Sequence, residues 1–104
     1  MQNWIDAVLE QELRLGEHHV MVADGKAIAI FNIDNQLFAI EDCCTHQGLP
    51  LSDGYVEGTQ ITCPFHGAQF CIKTGDALSP PAFEKLNTFE TRIKNNMIQI
   101  NLAS

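Results

Sequence analysis

Short apolar or alternating runs, separated by turn signals, dominate the first forty residues. In residues 18–23, Val20 and Val22 stand at alternate positions. The β-branched and aromatic run 27–33 follows shortly after Asp24-Gly25. A two-residue connection of this type, placed between two such runs, is typical of a β-hairpin. We therefore predict a hairpin over 18–33, with Val20 and Val22 on the inward face of its first strand.

Two further turn signals extend this pattern. Asp34-Asn35 precedes the apolar run 37–40, and Asn95-Asn96 separates the run 86–93 from the run 97–102. Asn and Asp tolerate the positive φ angles that tight connections require. The early strands are expected to form an antiparallel meander, the late strands a closing hairpin, and the two ends to pair into one body.

One stretch near the N-terminus carries a competing helical pattern. In residues 6–15, Val8, Leu9 and Leu13 could share one side of a helix before Gly16 ends it. We expect a short loop with some helical character. His18 and His19 are neighbours on a predicted strand, so they point to opposite faces and are expected to be surface or half-buried side chains that do not chelate one ion together.

The central part of the chain has a different composition. Residues 43–81 are dense in Gly, Pro, Cys and His and hold only brief strand-like pieces, at 60–62 and 69–72. Irregular segments of this length usually carry function or are held by something bound. The sequence predicts one all-β domain, 1–104, built of small antiparallel sheets, with a functional subdomain at approximately 41–82 inserted between the early and late strands.

Charge and composition narrow the function classes. The chain is 45% hydrophobic and 18% charged, as expected for a globular protein. Its 13 acidic and 6 basic residues give a net charge of −7, which argues against binding to nucleic acid or to an anionic membrane and favours a basic protein partner. The N-terminus has no signal-peptide pattern, and no apolar run approaches membrane-spanning length. We expect a cytoplasmic location.

Four cysteines in a reducing compartment indicate metal ligands or free thiols rather than disulfides. Two short arms, Cys44-Thr45-His46 and Cys63-Pro64-Phe65-His66, are separated by the 16 residues from Gln47 to Thr62, and each contributes one thiolate and one imidazole. Two Cys and two His are the ligand inventory of a Rieske [2Fe-2S] cluster, and also of a tetrahedral zinc site. Zinc fingers with two Cys and two His usually group Cys with Cys and His with His, whereas here each arm holds one Cys and one His. A catalytic pair of thiol and imidazole is less favoured, because no third group at a recognisable spacing supports the Cys and His of either arm as nucleophile and base.

The longer pattern around these arms resembles the Rieske ferredoxins. The matching residues are Cys44-Thr45-His46-Gln47-Gly48, Leu51-Ser52-Asp53-Gly54, Cys63-Pro64-Phe65-His66-Gly67, Phe70 and Thr74-Gly75. The resemblance covers most of 44–81. It implies the Rieske fold and one [2Fe-2S] cluster.

The resemblance also implies roles for individual residues. Cys44 and Cys63 would bind the buried iron, and His46 and His66 would bind the outer iron near the surface. Gly48 and Gly67 follow the two arms, where a missing side chain permits a close approach of backbone amides or unusual dihedral angles. Pro80 and Pro81 match a proline-bearing loop that covers the cluster in the family.

Departures from the family pattern concern residues near the expected cluster. The positions that hold a disulfide in family members of respiratory and photosynthetic membrane complexes are Leu49 and Phe65 here, so no such disulfide is inferred. The spare Cys43 and Cys71 are interpreted as buried or semi-buried thiols, with Cys71 at a position where the family often has an acidic residue.

Two further departures concern the reduction potential. High-potential members place hydroxyl groups near the cluster sulfurs, at positions that are Ala68 and Phe70 here. Fewer donors to the sulfurs make reduction less favourable, so we predict a reduction potential of roughly −150 mV, near the low end of the Rieske range.

The resemblance implies an electron carrier rather than an enzyme. We expect a monomer that takes single electrons from a flavoprotein ferredoxin reductase and delivers them to the terminal Rieske oxygenase of an aromatic-ring hydroxylating system. A second hypothesis is the small Rieske subunit of a cytoplasmic nitrite reductase or a related complex. A third is a zinc-held structural module with no redox role.

Overall fold

The computed structural model describes residues 3–43, 51–52, 54–63, 67–79 and 85–102. Within these residues the chain forms ten strands and one short 3-10 turn, with no α-helix, which confirms the all-β prediction. The strands are β1 (Trp4–Leu9), β2 (His18–Ala23), β3 (Lys26–Ile33), β4 (Gln36–Glu41), β5 (Tyr55–Glu57), β6 (Gln60–Thr62), β7 (Gln69–Cys71), β8 (Ala77–Ser79), β9 (Thr88–Lys94) and β10 (Met97–Asn101).

Six strands from the two ends of the chain form one antiparallel sheet, in the order β1-β10-β9-β4-β3-β2. The predicted turns Asp24-Gly25, Asp34-Asn35 and Asn95-Asn96 connect its hairpins, and all six turn residues have φ between 52° and 75°. Positive φ at both turn positions matches the twist of the flanking strands. The three turn predictions are therefore confirmed, and the pairing of Ala39 with Phe89 joins the early and late strands as expected.

Strands far apart in this sheet contribute to one buried cluster. Its fully or nearly fully buried members are Leu13, Ile28, Ile30, Ala39, Ile98 and Ile100. Because β3 and β10 are separated by two strands in the sheet yet supply side chains to the same cluster, the sheet curves around this core. Burying each Ile stabilises the folded state by about 1.5–3 kcal/mol.

The prediction for the inward face of β2 is wrong. The strand is present, but Val20 and Val22 are 40% and 73% exposed, while Met21 packs against the core of the six-stranded sheet. Val20 lies opposite Ala29, so the two share a face. Ala29 is covered by the second sheet, whereas β2 lies at the edge of the first sheet, where its Val side chains stay exposed.

The prediction of a loop with helical character over 6–15 is correct only at its centre. The chain is a strand through Leu9, and Glu10–Glu12 forms a single 3-10 turn. Strand β1 pairs with β10, and its register shifts between Asp6 and Val8. A bulge of this kind breaks the two-residue periodicity of a strand, which gives the apolar residues a spacing that resembles a helix.

The second sheet lies between β4 and β9 in the sequence. Its short strands have the order β5-β6-β7-β8, and all pairs are antiparallel. The second buried cluster joins residues of both sheets: Ala29, Phe31, Ile40, Leu51, Ile61, Cys63, Ala68, Phe70, Ile72 and Leu86. Apolar packing therefore attaches the small sheet to the large one. No helix in the described ranges is long and apolar enough to cross a membrane.

Candidate metal centre

The hairpin formed by β6 and β7 carries the second predicted ligand arm. Cys63 directly follows β6; its N–H donates to the Ala68 carbonyl at 2.7 Å, and its carbonyl accepts from the Gly67 N–H at 3.1 Å. Gly67 has a φ of 74°, and a Cβ there would meet no atom within 4 Å. The positive φ angle of Gly67 supports the expected role of unusual dihedral angles at this position.

Cys63 lies in an apolar environment that fits a metal-bound thiolate. It is 1% exposed and belongs to the buried cluster that also contains Leu51, Ala68 and Phe70. An isolated thiolate is unfavourable in such surroundings, whereas coordination to a metal compensates its charge. The donor and its burial therefore fit the inner-iron role that the family pattern implies for Cys63.

The other three predicted ligands are not described. Cys44, His46 and His66 lie outside the described residues, as do Gly48, Pro80 and Pro81. Among the described residues no group of three or more His, Cys, Asp or Glu side chains is arranged to hold a metal ion. The four-residue ligand set therefore stays a prediction from the sequence.

The ends of the first ligand loop, 44–50, are joined by a side chain that the sequence reasoning missed. Asp42 is only 6% exposed, and its Oδ1 accepts hydrogen bonds from the N–H groups of Leu51 and Ser52, both at 2.7 Å. Its Oδ2 accepts a third hydrogen bond from the Ser52 hydroxyl at 2.8 Å. The carboxylate thus fastens the residues that follow the loop to the residue two positions before Cys44.

Gly54 brings the exit of the first loop against the entry of the second. A Cβ at Gly54 would overlap the Thr62 carbonyl oxygen and would lie 2.9 Å from the carbonyl oxygen of Leu51. Thr62 directly precedes Cys63. The absence of a side chain at Gly54 therefore lets the chain after the first predicted ligand arm approach the chain before the second through their backbones.

Gly75 performs a similar task beside the segment 80–84. Its carbonyl accepts a hydrogen bond from the Leu86 N–H at 2.7 Å, and a Cβ at Gly75, whose φ is 84°, would overlap the Leu86 carbonyl oxygen. Gly75, before the proline-bearing segment, thus contacts Leu86, after it. Leu86 is buried.

The half-buried Cys71 begins the turn that links β7 to Gly75. Desolvation raises the pKa of its thiol, but hydrogen bonds from the Thr74 hydroxyl and from the N–H groups of Thr74 and Lys73 outweigh desolvation and lower the pKa below its usual value. The Thr74 hydroxyl also lies 2.9 Å from Asp76 Oδ2. Because that hydroxyl has one proton, the two backbone donors are the steadier partners of Cys71.

The remaining sulfur and imidazole groups agree with their expected environments. Cys43 is half-buried, and Cys43, Cys63 and Cys71 form no disulfide among the described residues. His18 is exposed and its ring lies 5.6 Å from that of Phe31, whereas His19 is half-buried. The alternating burial of the two histidines confirms that they point to opposite faces of β2.

Sequence comparison identifies the class of protein that this fold and site define. Residues 3–90 match the Rieske [2Fe-2S] domain family. The chain belongs to this family and carries a Rieske-type [2Fe-2S] cluster, which overturns the zinc alternative.

Several similar proteins are ferredoxins. The ferredoxin component of the naphthalene 1,2-dioxygenase system of Pseudomonas putida is 33% identical over 100 residues, covering 96% of each chain. A Sphingomonas yanoikuyae B1 ferredoxin superposes with a TM-score of 0.88 and 31% identity, over 97% of this chain and 100% of that one. A chain in the complex of reduced oxygenase and oxidized ferredoxin in carbazole 1,9a-dioxygenase also has a TM-score of 0.88, with 30% identity over 94% of this chain and 92% of that one.

Proposed function

We propose that this protein is the ferredoxin component of a ring-hydroxylating oxygenase system, with its [2Fe-2S] cluster bound by Cys44, His46, Cys63 and His66. It accepts one electron from a flavoprotein ferredoxin reductase and delivers it to a terminal oxygenase. When bound, the cluster supplies the one-electron couple. The protein supplies the ligands, the apolar surroundings and the docking surface.

The observation that carries this proposal is the position of Cys63. Its thiol is buried among the apolar side chains that join the two sheets. Its backbone forms hydrogen bonds with Gly67 and Ala68, which close the β6–β7 hairpin on either side of 64–66. A ligand in this position is shielded from water and oriented by the hairpin. The next described residue after Cys63, Gly67, is exposed, and the family resemblance implies that His66, which precedes it in the sequence, binds the outer iron.

The relatives support the direction of electron flow. Ferredoxin components of naphthalene and biphenyl dioxygenase systems are 33% and 36% identical to this chain, and the carbazole 1,9a-dioxygenase complex pairs a similar ferredoxin with its oxygenase. These names favour the carrier over the small subunit of a nitrite reductase. The net charge of −7 suits brief docking to basic partner surfaces. We also propose a cytoplasmic monomer that forms one domain over 1–104.

Electron paramagnetic resonance of the dithionite-reduced protein tests the ligand set. Mixed imidazole and thiolate ligation lowers the average g value relative to an all-thiolate cluster, and analysis is expected to give about two iron and two sulfide ions per chain. Cys63→Ser and His66→Ala should lose or alter this signal. Cys71→Ser and His18→Ala are the matched controls and should keep it. Wild-type protein without iron or sulfide after anaerobic reconstitution would refute the proposal.

Electron delivery is tested separately, by stopped-flow mixing of the reduced protein with the terminal oxygenase of a naphthalene dioxygenase system. Reoxidation of this protein should match reduction of the oxygenase in rate and amount. Reoxidation by air alone, with no reduction of the oxygenase, would contradict the proposed role while leaving the ligand set intact.

A further inference from the structure

The two ligand-bearing loops are closed at their bases in different ways. The second loop lies within the β6–β7 hairpin, where the backbone bonds of Cys63 to Ala68 and Gly67 close it. The first predicted ligand arm belongs to the connection 42–54 between β4 of the large sheet and β5 of the small sheet, and these strands do not pair with each other. A strand ladder cannot hold its ends together, so another interaction has to.

Asp42 supplies that interaction. Its own backbone is fixed to the large sheet, since its N–H donates to the Ala27 carbonyl at 2.8 Å. Its carboxylate accepts three hydrogen bonds from Leu51 and Ser52, at 2.7, 2.7 and 2.8 Å. We call these three hydrogen bonds the Asp42 clasp.

Further contacts connect the Asp42 clasp to the second ligand arm. Leu51 is fully buried, and its carbonyl accepts the Gly54 N–H at 2.8 Å. Gly54 in turn lies against the Thr62 carbonyl, immediately before Cys63. The segment that Asp42 holds is therefore the same segment that contacts the second ligand arm.

We propose that Asp42 is a positioning residue: its carboxylate sets the distance between the ends of loop 44–50 and thereby the approach of Cys44 and His46 to the cluster. This inference rests on the ligand set proposed above. Hydrogen bonds to a buried carboxylate are short and strong, and removing the acceptor leaves the N–H groups of Leu51 and Ser52 without their partner.

Three variants separate the clasp from general stability. Asp42→Ala removes all three hydrogen bonds. Asp42→Asn keeps an oxygen for both N–H groups and can donate its amide to the Ser52 hydroxyl. Asp6→Ala is the control, because Asp6 is an exposed carboxylate that accepts a hydrogen bond from Gln99 within the large sheet.

Hydrogen exchange measures the clasp without reference to the cluster. In Asp42→Ala the amides of Leu51 and Ser52 should exchange at least about tenfold faster, since one lost hydrogen bond to a charged group corresponds to that factor or more. Asp42→Asn should restore most of the protection, and Asp6→Ala should leave it unchanged. Unchanged amides of Ile98 and Ile100 would show that the large sheet is intact.

The iron retention, g values and midpoint potential of the [2Fe-2S] cluster test the positioning role of Asp42. Asp42→Ala should lose iron to a chelator faster than wild type and show shifted or broadened g values. Asp42→Asn should retain iron like wild type, yet have a higher midpoint potential, because a negative charge near the cluster disfavours reduction. Faster exchange at Leu51 and Ser52 with wild-type iron retention, g values and potential would overturn the proposal.

Two safeguards keep the outcome decisive. If Asp42→Ala does not fold, Ser52→Ala removes one bond of the clasp, and it should show a smaller acceleration of iron loss. Wild-type iron loss in Ser52→Ala, together with a wild-type potential in Asp42→Asn, would then refute the role. A wild-type protein that binds no cluster would instead refute the proposed ligands, and the exchange rates at Leu51 and Ser52 would still report whether the clasp exists.

Discussion

Replacing Gly54 by Ala tests whether the two ligand-bearing segments depend on a close backbone approach. The new Cβ would overlap the carbonyl oxygen of Thr62 and lie 2.9 Å from that of Leu51, and real Cβ atoms essentially never come closer than 3.0 Å to such atoms. Both obstacles are backbone, which cannot rotate away as a flexible side chain can. The segment 51–54 and the end of β6 therefore have to separate.

The cost follows from the size of the overlap. Overpacking a buried site typically costs 1–3 kcal/mol, and two backbone clashes place Gly54→Ala near the upper end, at about 3 kcal/mol. For a chain of this size that corresponds to a fall in melting temperature of roughly 10–20 °C. Because Thr62 precedes Cys63, the variant should also bind less iron per chain after purification.

The matched control is Gly58→Ala in the turn between β5 and β6. Gly58 has a φ of 60° and open space around its Cβ position. The substitution costs about 1 kcal/mol through backbone strain, without moving the ligand arms. Thermal unfolding followed by circular dichroism, together with iron and sulfide analysis, compares the two variants. A Gly54→Ala protein with wild-type iron content, or equal iron loss in both variants, would refute the reasoning.

Further expectations concern potential, docking and the Cys71 thiol. Voltammetry should give a midpoint of roughly −150 mV, and a value well above zero would contradict the argument from Ala68 and Phe70. Reduction of an oxygenase by this protein should slow as ionic strength rises, because salt screens the acidic surface; a salt-independent rate would exclude acidic steering. Cys71 should be alkylated with a lower midpoint pH in the folded protein than in the unfolded protein, since hydrogen bonds lower its pKa in the fold. Thr74→Val should leave most of that shift in place if the backbone N–H groups are the main donors, and loss of the whole shift would assign it to the hydroxyl.

The sign of the Cys71 effect on stability follows from the same shift. A folded-state pKa below the unfolded value stabilises the fold only where the thiolate forms. The contribution is complete above the unfolded pKa and is lost as pH falls through the folded pKa. At pH values well below its folded-state pKa, Cys71 therefore adds nothing to stability through ionisation, and its main consequence is a thiolate that forms at lower pH than in the unfolded chain.

The features of the fold that could be predicted were those with a local chemical cause. Asp24-Gly25, Asp34-Asn35 and Asn95-Asn96 adopt positive φ because Asp and Asn tolerate this conformation and Gly25 has no Cβ to oppose it. The face of β2 depends instead on where the second sheet ends, and β1 depends on β10, about ninety residues away in the sequence. Neither dependence leaves a local signal.

The site divides in the same way. The sequence could single out Cys63 as a candidate ligand, since a metal ligand has to be a particular residue type at a particular spacing; its burial fits that role, and its ligation stays a prediction. Asp42 was not, because an acidic residue after a strand is also common in turns, and only the return of Leu51 and Ser52 to its carboxylate reveals its role. Gly54 was part of the recognised pattern, but its reason is a contact with Thr62 that sequence spacing does not show.

Two kinds of interaction therefore hold the small sheet in place. Apolar packing of Ile61, Phe70 and Ile72 against the large sheet provides attachment, but hydrophobic contacts are non-directional and tolerate small shifts. The distances between ligand arms need directional contacts, which come from the Asp42 clasp and from the backbone approach at Gly54. A substitution among the buried apolar residues should hence lower the overall stability first. A change at Asp42 or Gly54 should disturb the [2Fe-2S] cluster more than it disturbs the large sheet.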